Sequence, residues 1–345
     1  MSDVYLITGG AGFIGSNFVN YIYQKYPNSK IIVLDLLTYA GSVDNFPLGA
    51  NELSERFEFW YGDVKNSALV EQLVSRSDYI IHFAAETHVT RSIFDNRNFF
   101  ETDVIGTQTV TNAVLEHKTK IKKLIHISTS EVYGTSENND LMDENHSLNP
   151  ASPYAAAKAG ADRLVYSYVN TYDIPAVIVR PFNNYGPKQH LEKAIPRFIT
   201  SCLLGEKVNV HGKGESMRDW INVLDTCEAL DVILQAELSK VKGEVFNLGT
   251  GINLSINDIA LKVVENMNVD KSIIQYIEDR PGQVDCHKAD SSKIKRVLNW
   301  EYKVSFEEGL LKTIEWYKKN RQFWEKQIWM RQVPIYLKNG KKVVH

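Results

Sequence analysis

The sequence predicts an α/β fold, a doubly wound parallel sheet with a smaller C-terminal substrate-binding region, and three observations predict it. Short β-branched runs recur between stretches of helical periodicity. The first of these runs opens directly into a glycine-rich loop. Beyond about Arg180 the regular alternation gives way to loops.

The runs are Val4-Tyr5-Leu6-Ile7, Ile31-Ile32-Val33-Leu34, Tyr79-Ile80-Ile81-His82-Phe83, Leu124-Ile125-His126-Ile127 and Ala176-Val177-Ile178-Val179. Unbroken apolar runs suit strands covered on both faces, which favours a parallel sheet with ligands beyond its carboxyl ends. After Arg180, Asn183-Asn184-Tyr185-Gly186-Pro187 and Gly212-Lys213-Gly214 mark loops. The expected division is 1–180 for a Rossmann-type domain and 181–330 for the substrate region, with some segments of the latter returning to the sheet. Residues 331–345 form a C-terminal tail. The stretch 316–329 is helical in composition, and its aromatic residues Trp316, Phe323 and Trp324 are expected to pack.

Behind the first strand, Thr8-Gly9-Gly10-Ala11-Gly12-Phe13-Ile14-Gly15 is a G-x-x-G-x-x-G loop opening a helix. Its glycines allow a turn that a Cβ forbids and let a pyrophosphate approach the main chain, where free helix-terminal amides meet its charge. Asp35 closes the second strand, 20 residues beyond Gly15. There a carboxylate accepts hydrogen bonds from ribose hydroxyls and repels a 2′-phosphate, so the cofactor is expected to be NAD and not NADP. Gly62-Asp63-Val64 and Phe83-Ala84-Ala85 fit the edges of the adenine and ribose pocket.

Tyr154 and Lys158 lie four apart on a segment that begins with Ser152 and Pro153 and continues rich in alanine. This predicts one helical face carrying both. A nearby ammonium and a positive nicotinamide ring are expected to lower the phenol toward the working pH, so that Tyr154 can take a proton from a substrate hydroxyl. The fifth strand ends in Ser128-Thr129-Ser130-Glu131-Val132-Tyr133-Gly134. A dehydrogenase or 4-epimerase needs a hydroxyl here but no carboxylate beside the sugar. Glu131 is therefore the informative residue: once C4 is oxidised the C5 proton is acidic, and a carboxylate over it can act as base and help expel the C6 hydroxyl.

Composition bounds the remaining possibilities. With 39 basic and 42 acidic residues the net charge is −3, which gives no whole-chain attraction to nucleic acid or an anionic membrane. Cys202, Cys227 and Cys286 are odd in number and widely spaced, which argues against a disulfide framework and a zinc site; no metal is expected. No segment approaches the roughly 20 apolar residues of a membrane span. The expectation is a soluble, unprocessed, cytoplasmic protein.

Taken with Ile7 before the glycine loop, Leu37-Thr38-Tyr39-Ala40-Gly41, Ala84-Ala85-Glu86-Thr87-His88-Val89-Thr90-Arg91-Ser92, Asn183-Asn184-Tyr185-Gly186-Pro187 and Arg218-Asp219-Trp220, these motifs resemble the nucleotide-sugar branch of the extended short-chain dehydrogenases. They are most similar to the dTDP-glucose 4,6-dehydratases, over nearly the whole length. The resemblance implies a retained NAD that takes hydride from C4 and returns it to C6, giving a 4-keto-6-deoxy sugar. It assigns Tyr154 to start the reaction, Glu131 to deprotonate C5 and Thr129 to bind the C4 oxygen. It places Glu86, His88, Asn183, Lys193, Arg218, Asn247 and Arg280 at the substrate, with Lys193, Arg218 and Arg280 toward its diphosphate or ribose. It further implies a homodimer built on the helix carrying Tyr154 and a preceding helix over 98–116.

The chain also departs from that family. The dTDP-glucose enzymes have Thr-Asp-Glu where this chain has Thr129-Ser130-Glu131, so the aspartate that protonates the leaving hydroxyl is replaced by Ser130. A Thr-Ser-Glu turn resembles GDP-mannose 4,6-dehydratases and UDP-glucuronate decarboxylases. Either Glu131 serves as base and then acid, or the reaction differs. Asn209-Val210-His211-Gly212 stands where that family has a proline and tyrosine packing on thymine, which leaves dTDP, UDP, GDP and CDP open, and hexose and N-acetylhexosamine alike. The alternatives to a dehydratase are a 4-epimerase or decarboxylase on the same scaffold, and a nucleotide-binding relative without catalysis.

Overall fold

The computed structural model describes residues 3–47, 55–136, 139–279, 284–336 and 341–344. The strands of the first half are β1 (Val4–Thr8), β2 (Lys30–Asp35), β3 (Phe57–Tyr61), β4 (Tyr79–His82), β5 (Lys123–Ile127) and β6 (Ala176–Pro181). The second half contributes β7 (Asn183–Tyr185), β8 (Val208–His211), β9 (Met217–Asn222), β10 (Val245–Leu248), β11 (Asn253–Ser255) and β12 (Ile274–Ile277). Among the described residues, seven parallel strands form the central sheet in the order β10-β6-β5-β4-β1-β2-β3. The β10 strand thus returns from the second half of the chain to extend the sheet beside β6.

Alternate residues of each strand feed opposite cores, which is why the runs are apolar throughout. Tyr5, Ile7, Val33, Ile81, Ile125 and Val177 fill one face; Leu6, Ile32, Leu34, Ile80, Leu124 and Ile178 fill the other. Helices α1 (Phe13–Lys25), α2 (Ser67–Val74), α3 (Val89–Phe94), α4 (Arg97–Phe99), α5 (Thr107–Glu116), α6 (Pro153–Tyr172), α7 (Ala194–Leu204) and α8 (Val223–Gln235) follow in chain order. The expected helix over 98–116 contains a π-helical stretch, Phe100–Gly106, between α4 and α5. Helix α6 starts as the sequence predicts: Ser152 accepts a hydrogen bond from the Ala155 amide at 3.2 Å and Pro153 occupies the first turn.

The second region consists of the sheet β11-β9-β7 and the parallel pair β12-β8, with α7 and the helices Ile256–Asn266 and Phe306–Lys319. Ile195, Phe198, Trp220, Ile259, Leu310, Tyr317 and Trp324 form its core. The tail is not one helix over 316–329. Asn320 leaves helical geometry (φ −111°, ψ 41°) and its side chain donates to the Trp316 carbonyl at 2.8 Å, so the chain breaks into Phe306–Lys319 and Arg321–Glu325. The aromatic residues pack as expected, with Trp316 edge-on to Phe323 at 5.0 Å and Trp324 buried. No helix among the described residues is long and apolar enough to cross a membrane.

One buried polar network ties these parts together. Arg180, near the end of β6, meets Asp162 of α6 through two hydrogen bonds of 2.8 and 3.0 Å and donates to the Tyr133 hydroxyl at 2.9 Å. Tyr133 in turn donates to Asn247 of β10 at 2.7 Å. Both charges are out of water, and although Arg163 also reaches Asp162 from the rim, removing either Arg180 or Asp162 leaves a buried group short of its main partner. Arg180→Met is expected to cost about 3–5 kcal/mol of unfolding free energy, and pairing it with Asp162→Leu to recover most of that. Urea denaturation of the two singles and the double measures it; strictly additive losses would show that the pair is not coupled.

Candidate active site

A cavity of about 460 Å³ runs along the carboxyl ends of the central strands and on between them and the second region. It is lined by every cofactor residue read from the sequence: Gly9, Gly12, Phe13, Ile14, Gly15, Asp35, Asp63, Val64, Ala84, Ala85, Tyr154 and Lys158. Gly9 has φ 69° and a Cβ there would lie 2.5 Å from the Ala84 amide, so the loop can close only with glycine. Gly12 caps α1 without a side-chain bond, which leaves the first helical amides for a pyrophosphate. Asp35 accepts from the amides of Ala11 (2.9 Å) and Leu37 (2.8 Å). Burial raises its carboxyl and these two bonds oppose that. The buried Ser128 hydroxyl on the cavity wall has no hydrogen-bond partner among the described residues. A glycine-walled cradle, a carboxylate for a ribose and an open hydroxyl together fit NAD.

At the far end of β5 the chain turns through Ser130–Tyr133, where Thr129 accepts from the Glu131 amide at 3.2 Å and so aims the turn into the cavity. Thr129, Ser130, Glu131, Tyr154 and Lys158 all line the same wall. Lys158 donates to the Ile127 carbonyl at 2.7 Å, and Tyr154 is hydrogen-bonded to Thr129. Burial pushes the Tyr154 phenol above its ordinary value; the Thr129 bond opposes this, while Asp103 and Glu131 add to it. Burial also lowers the Lys158 ammonium, while the nearby Asp103 and Asp162 carboxylates oppose that. A further positive charge, such as the oxidised nicotinamide, is needed to favour the tyrosinate.

The remaining substrate candidates divide. Glu86, His88, Asn183, Lys193 and Arg218 line the cavity. Burial raises the Glu86 carboxyl to about 7, His88 caps α3 by accepting from the Arg91 amide at 3.3 Å, and Lys193 donates to the Thr87 carbonyl at 2.8 Å. Arg218 on β9 is buried and donates to the Met217 carbonyl at 2.9 Å. Asn247 is not at the site. Its side chain is fully buried behind the wall, accepting from Tyr133 and donating to the Met142 carbonyl at 2.9 Å, so it is a structural residue of the Arg180 network. Arg280 lies outside the described residues.

Two acidic residues were missed. Asp103, on the π-helical stretch, is buried, accepts from the Glu86 amide at 2.8 Å, and has its carboxyl raised by burial to about 7. Its helix carries no motif, so only the fold places it beside Lys158. Glu192 takes Tyr39 and Arg91 at 3.0 Å each, with the Arg91 guanidinium over the Tyr39 ring. These contacts span 153 and 101 residues of sequence, beyond any local pattern.

A Rossmann domain with this tyrosine and lysine on one helix beside the fifth strand defines an extended short-chain dehydrogenase, and the comparisons narrow it. The family model described as GDP-mannose 4,6 dehydratase matches residues 6–313. The chain belongs to that family, as an NAD-dependent nucleotide-sugar 4,6-dehydratase, a lyase. It is 43% identical to the low-salt glycan biosynthesis protein Agl12 of Haloferax volcanii, over 90% of this chain and 97% of that one. It is 39% identical to a dTDP-glucose 4,6-dehydratase of Streptomyces niveus, over 93% and 94%. The crystal structure of the dTDP-glucose 4,6-dehydratase DesIV from Streptomyces venezuelae with NAD bound superposes with a TM-score of 0.88 at 38% identity, covering 94% and 99%. A UDP-glucose 4-epimerase of Thermotoga maritima shares the scaffold at a TM-score of 0.84 and 30% identity.

Burial alone would raise the Glu192 carboxyl, but His88, Lys193, His190 and Arg91 outweigh it and hold the group down at about 2. Its folded value is thus below the ordinary 4.5, so it contributes stability above about 4.5 that is lost as pH falls toward 2. Glu192→Gln is expected to flatten the acid limb of a stability–pH curve in that window, read by thermal unfolding. An unchanged slope would mean the carboxylate is not held ionised by its neighbours.

Proposed function

We propose that the substrate is a nucleoside-diphosphate hexose or N-acetylhexosamine, and that Tyr154, Glu131 and Thr129 divide its dehydration between them. The observation that carries this is the convergence of Thr129, Glu131 and Tyr154 on one cavity wall beside Lys158. NAD, when bound, accepts hydride from C4 and returns it at C6. Tyr154, as tyrosinate, takes the C4 hydroxyl proton, and Thr129 holds that oxygen through the hydroxyl it shares with Tyr154. Glu131 takes the C5 proton, which the neighbouring ketone has made acidic. Lys193 and Arg218 meet the diphosphate, since arginine and lysine side chains on a cavity wall suit clustered phosphate oxygens. Glu131 separates this reading from epimerisation, because a base over C5 would drain the ketone toward elimination.

The test incubates the purified protein separately with dTDP-glucose, UDP-glucose, UDP-N-acetylglucosamine, GDP-mannose, GDP-N-acetylglucosamine and UDP-glucuronate, and follows product mass. Loss of one water, about 18 mass units, from one of them without added NAD is the expected result, and Glu131→Gln is expected to abolish it by 10²–10⁴-fold. Altered stereochemistry at unchanged mass would make the protein an epimerase instead.

The protein works in this reading as a cytoplasmic homodimer. Phe100 and Ile105 of the 97–116 segment and Tyr166 and Tyr172 of α6 are exposed although large and apolar, and α5 packs against α6. Joining these two elements to their copies in a second chain would bury them. Sedimentation equilibrium at micromolar concentration is expected to give twice the monomer mass, with Ile105→Glu shifting it to monomer; a wild-type monomer would refute the dimer.

A further inference from the structure

Ser130 stands where an acid is expected, and its partner decides what it can do. Its hydroxyl lies 3.4 Å from Nδ1 of His287, a fully buried residue behind the cavity wall. The other ring nitrogen, Nε2, lies 2.8 Å from the carbonyl oxygen of Gly134. A carbonyl only accepts, so Nε2 must carry the hydrogen. Burial lowers the imidazolium, Glu131 opposes that and Arg218 adds to it, with a net downward shift. The ring is therefore neutral, and Nδ1 is a bare acceptor. The direction of the remaining bond follows: Ser130 donates to His287, and its lone pairs are what it offers to the cavity.

We infer that His287 is a positioning residue that commits the Ser130 hydroxyl as a donor to Nδ1, so that Ser130 accepts from the C6 hydroxyl and the departing oxygen draws its proton from Glu131. This rests on the dehydratase reading above. Glu131 takes the C5 proton, the C5–H electron pair becomes the second C5–C6 bond, and the C6–O bond breaks with its pair on oxygen. That oxygen takes the proton back from the Glu131 carboxyl and leaves as water, with Glu131 again a carboxylate. Ser130 gains and loses no proton. Its role is to hold the C6 hydroxyl toward Glu131, as a stronger acceptor because it is itself donating. The long Ser130–His287 distance is of the kind that tightens when substrate fills a site.

The experiment compares wild type, His287→Phe, Ser130→Ala and the double variant in deuterated water, with dTDP-glucose or whichever sugar of the panel the wild type dehydrates. The inference expects each single variant to lose about tenfold in water release, one hydrogen bond's worth, and the double no more than either. Deuterium at C5 of recovered substrate is expected to increase in the variants, because C5 deprotonation continues while elimination lags. Parallel loss of C5 exchange and water release, or additive losses in the double variant, would assign His287 a merely structural role and overturn the inference. Nitrogen-15 NMR of the resting wild-type protein reads the tautomer independently of any variant. A bare Nδ1 is expected and a protonated one refutes the hydrogen-bond direction. If the wild type dehydrates nothing on the panel the functional reading fails, whereas the tautomer measurement still stands on its own.

Discussion

The bidentate pair between Asp162 and Arg180 is the constraint on which the geometry of this site depends. Asp162 lies one helical turn beyond Lys158 on α6, so fixing it fixes the register of the helix that carries Tyr154. Arg180 reaches from that carboxylate to Tyr133, two residues after Glu131, and Tyr133 reaches on to β10. Three separate pieces of chain, the catalytic helix, the catalytic turn and the strand that returns to the sheet, are thus held against one guanidinium. A buried charge pair is a poor source of net stability because desolvation offsets most of its attraction. What it supplies is register, since Arg180 keeps its two bonds to Asp162 only with α6 in this position.

Much of the fold and the cofactor half of the site were legible in the sequence, for a physical reason. The glycine loop works through its own backbone, Asp35 through the end of its own strand, and Tyr154 and Lys158 through one helix, so each signal is local. Strand faces were legible too, because Ile7 and Leu6 alternate between cores as any buried parallel strand must. What escaped was set by tertiary neighbours. Asp103 reads as an ordinary helical acid until the sheet brings Lys158 beside it. The Glu192 cluster draws on Tyr39 and on His88 and Arg91 at the start of α3, all distant in sequence. Asn247 shows the converse error: a residue assigned by resemblance to the substrate turned out to satisfy buried carbonyls one layer behind it.

The same burial that makes the pocket selective also sets its electrostatics. Lys193, Arg197 and Arg218 supply positive charge on the walls, while Glu86, Asp103, Glu131 and Glu192 stand among and beside them. Dry surroundings raise Glu86 and Asp103 to about 7 and push Tyr154 upward, so the sugar end resists accumulating negative charge by itself. Glu192, with Arg91 and Lys193 beside it, is instead held down at about 2. The site is arranged so that a phenolate is unfavourable until another positive charge arrives next to it. In the proposed dehydration that ordering has a chemical use: deprotonation of a sugar hydroxyl by Tyr154 is withheld unless the group that must receive its hydride is in place. A base already free at rest would gain nothing from a hydroxyl whose hydride has no destination.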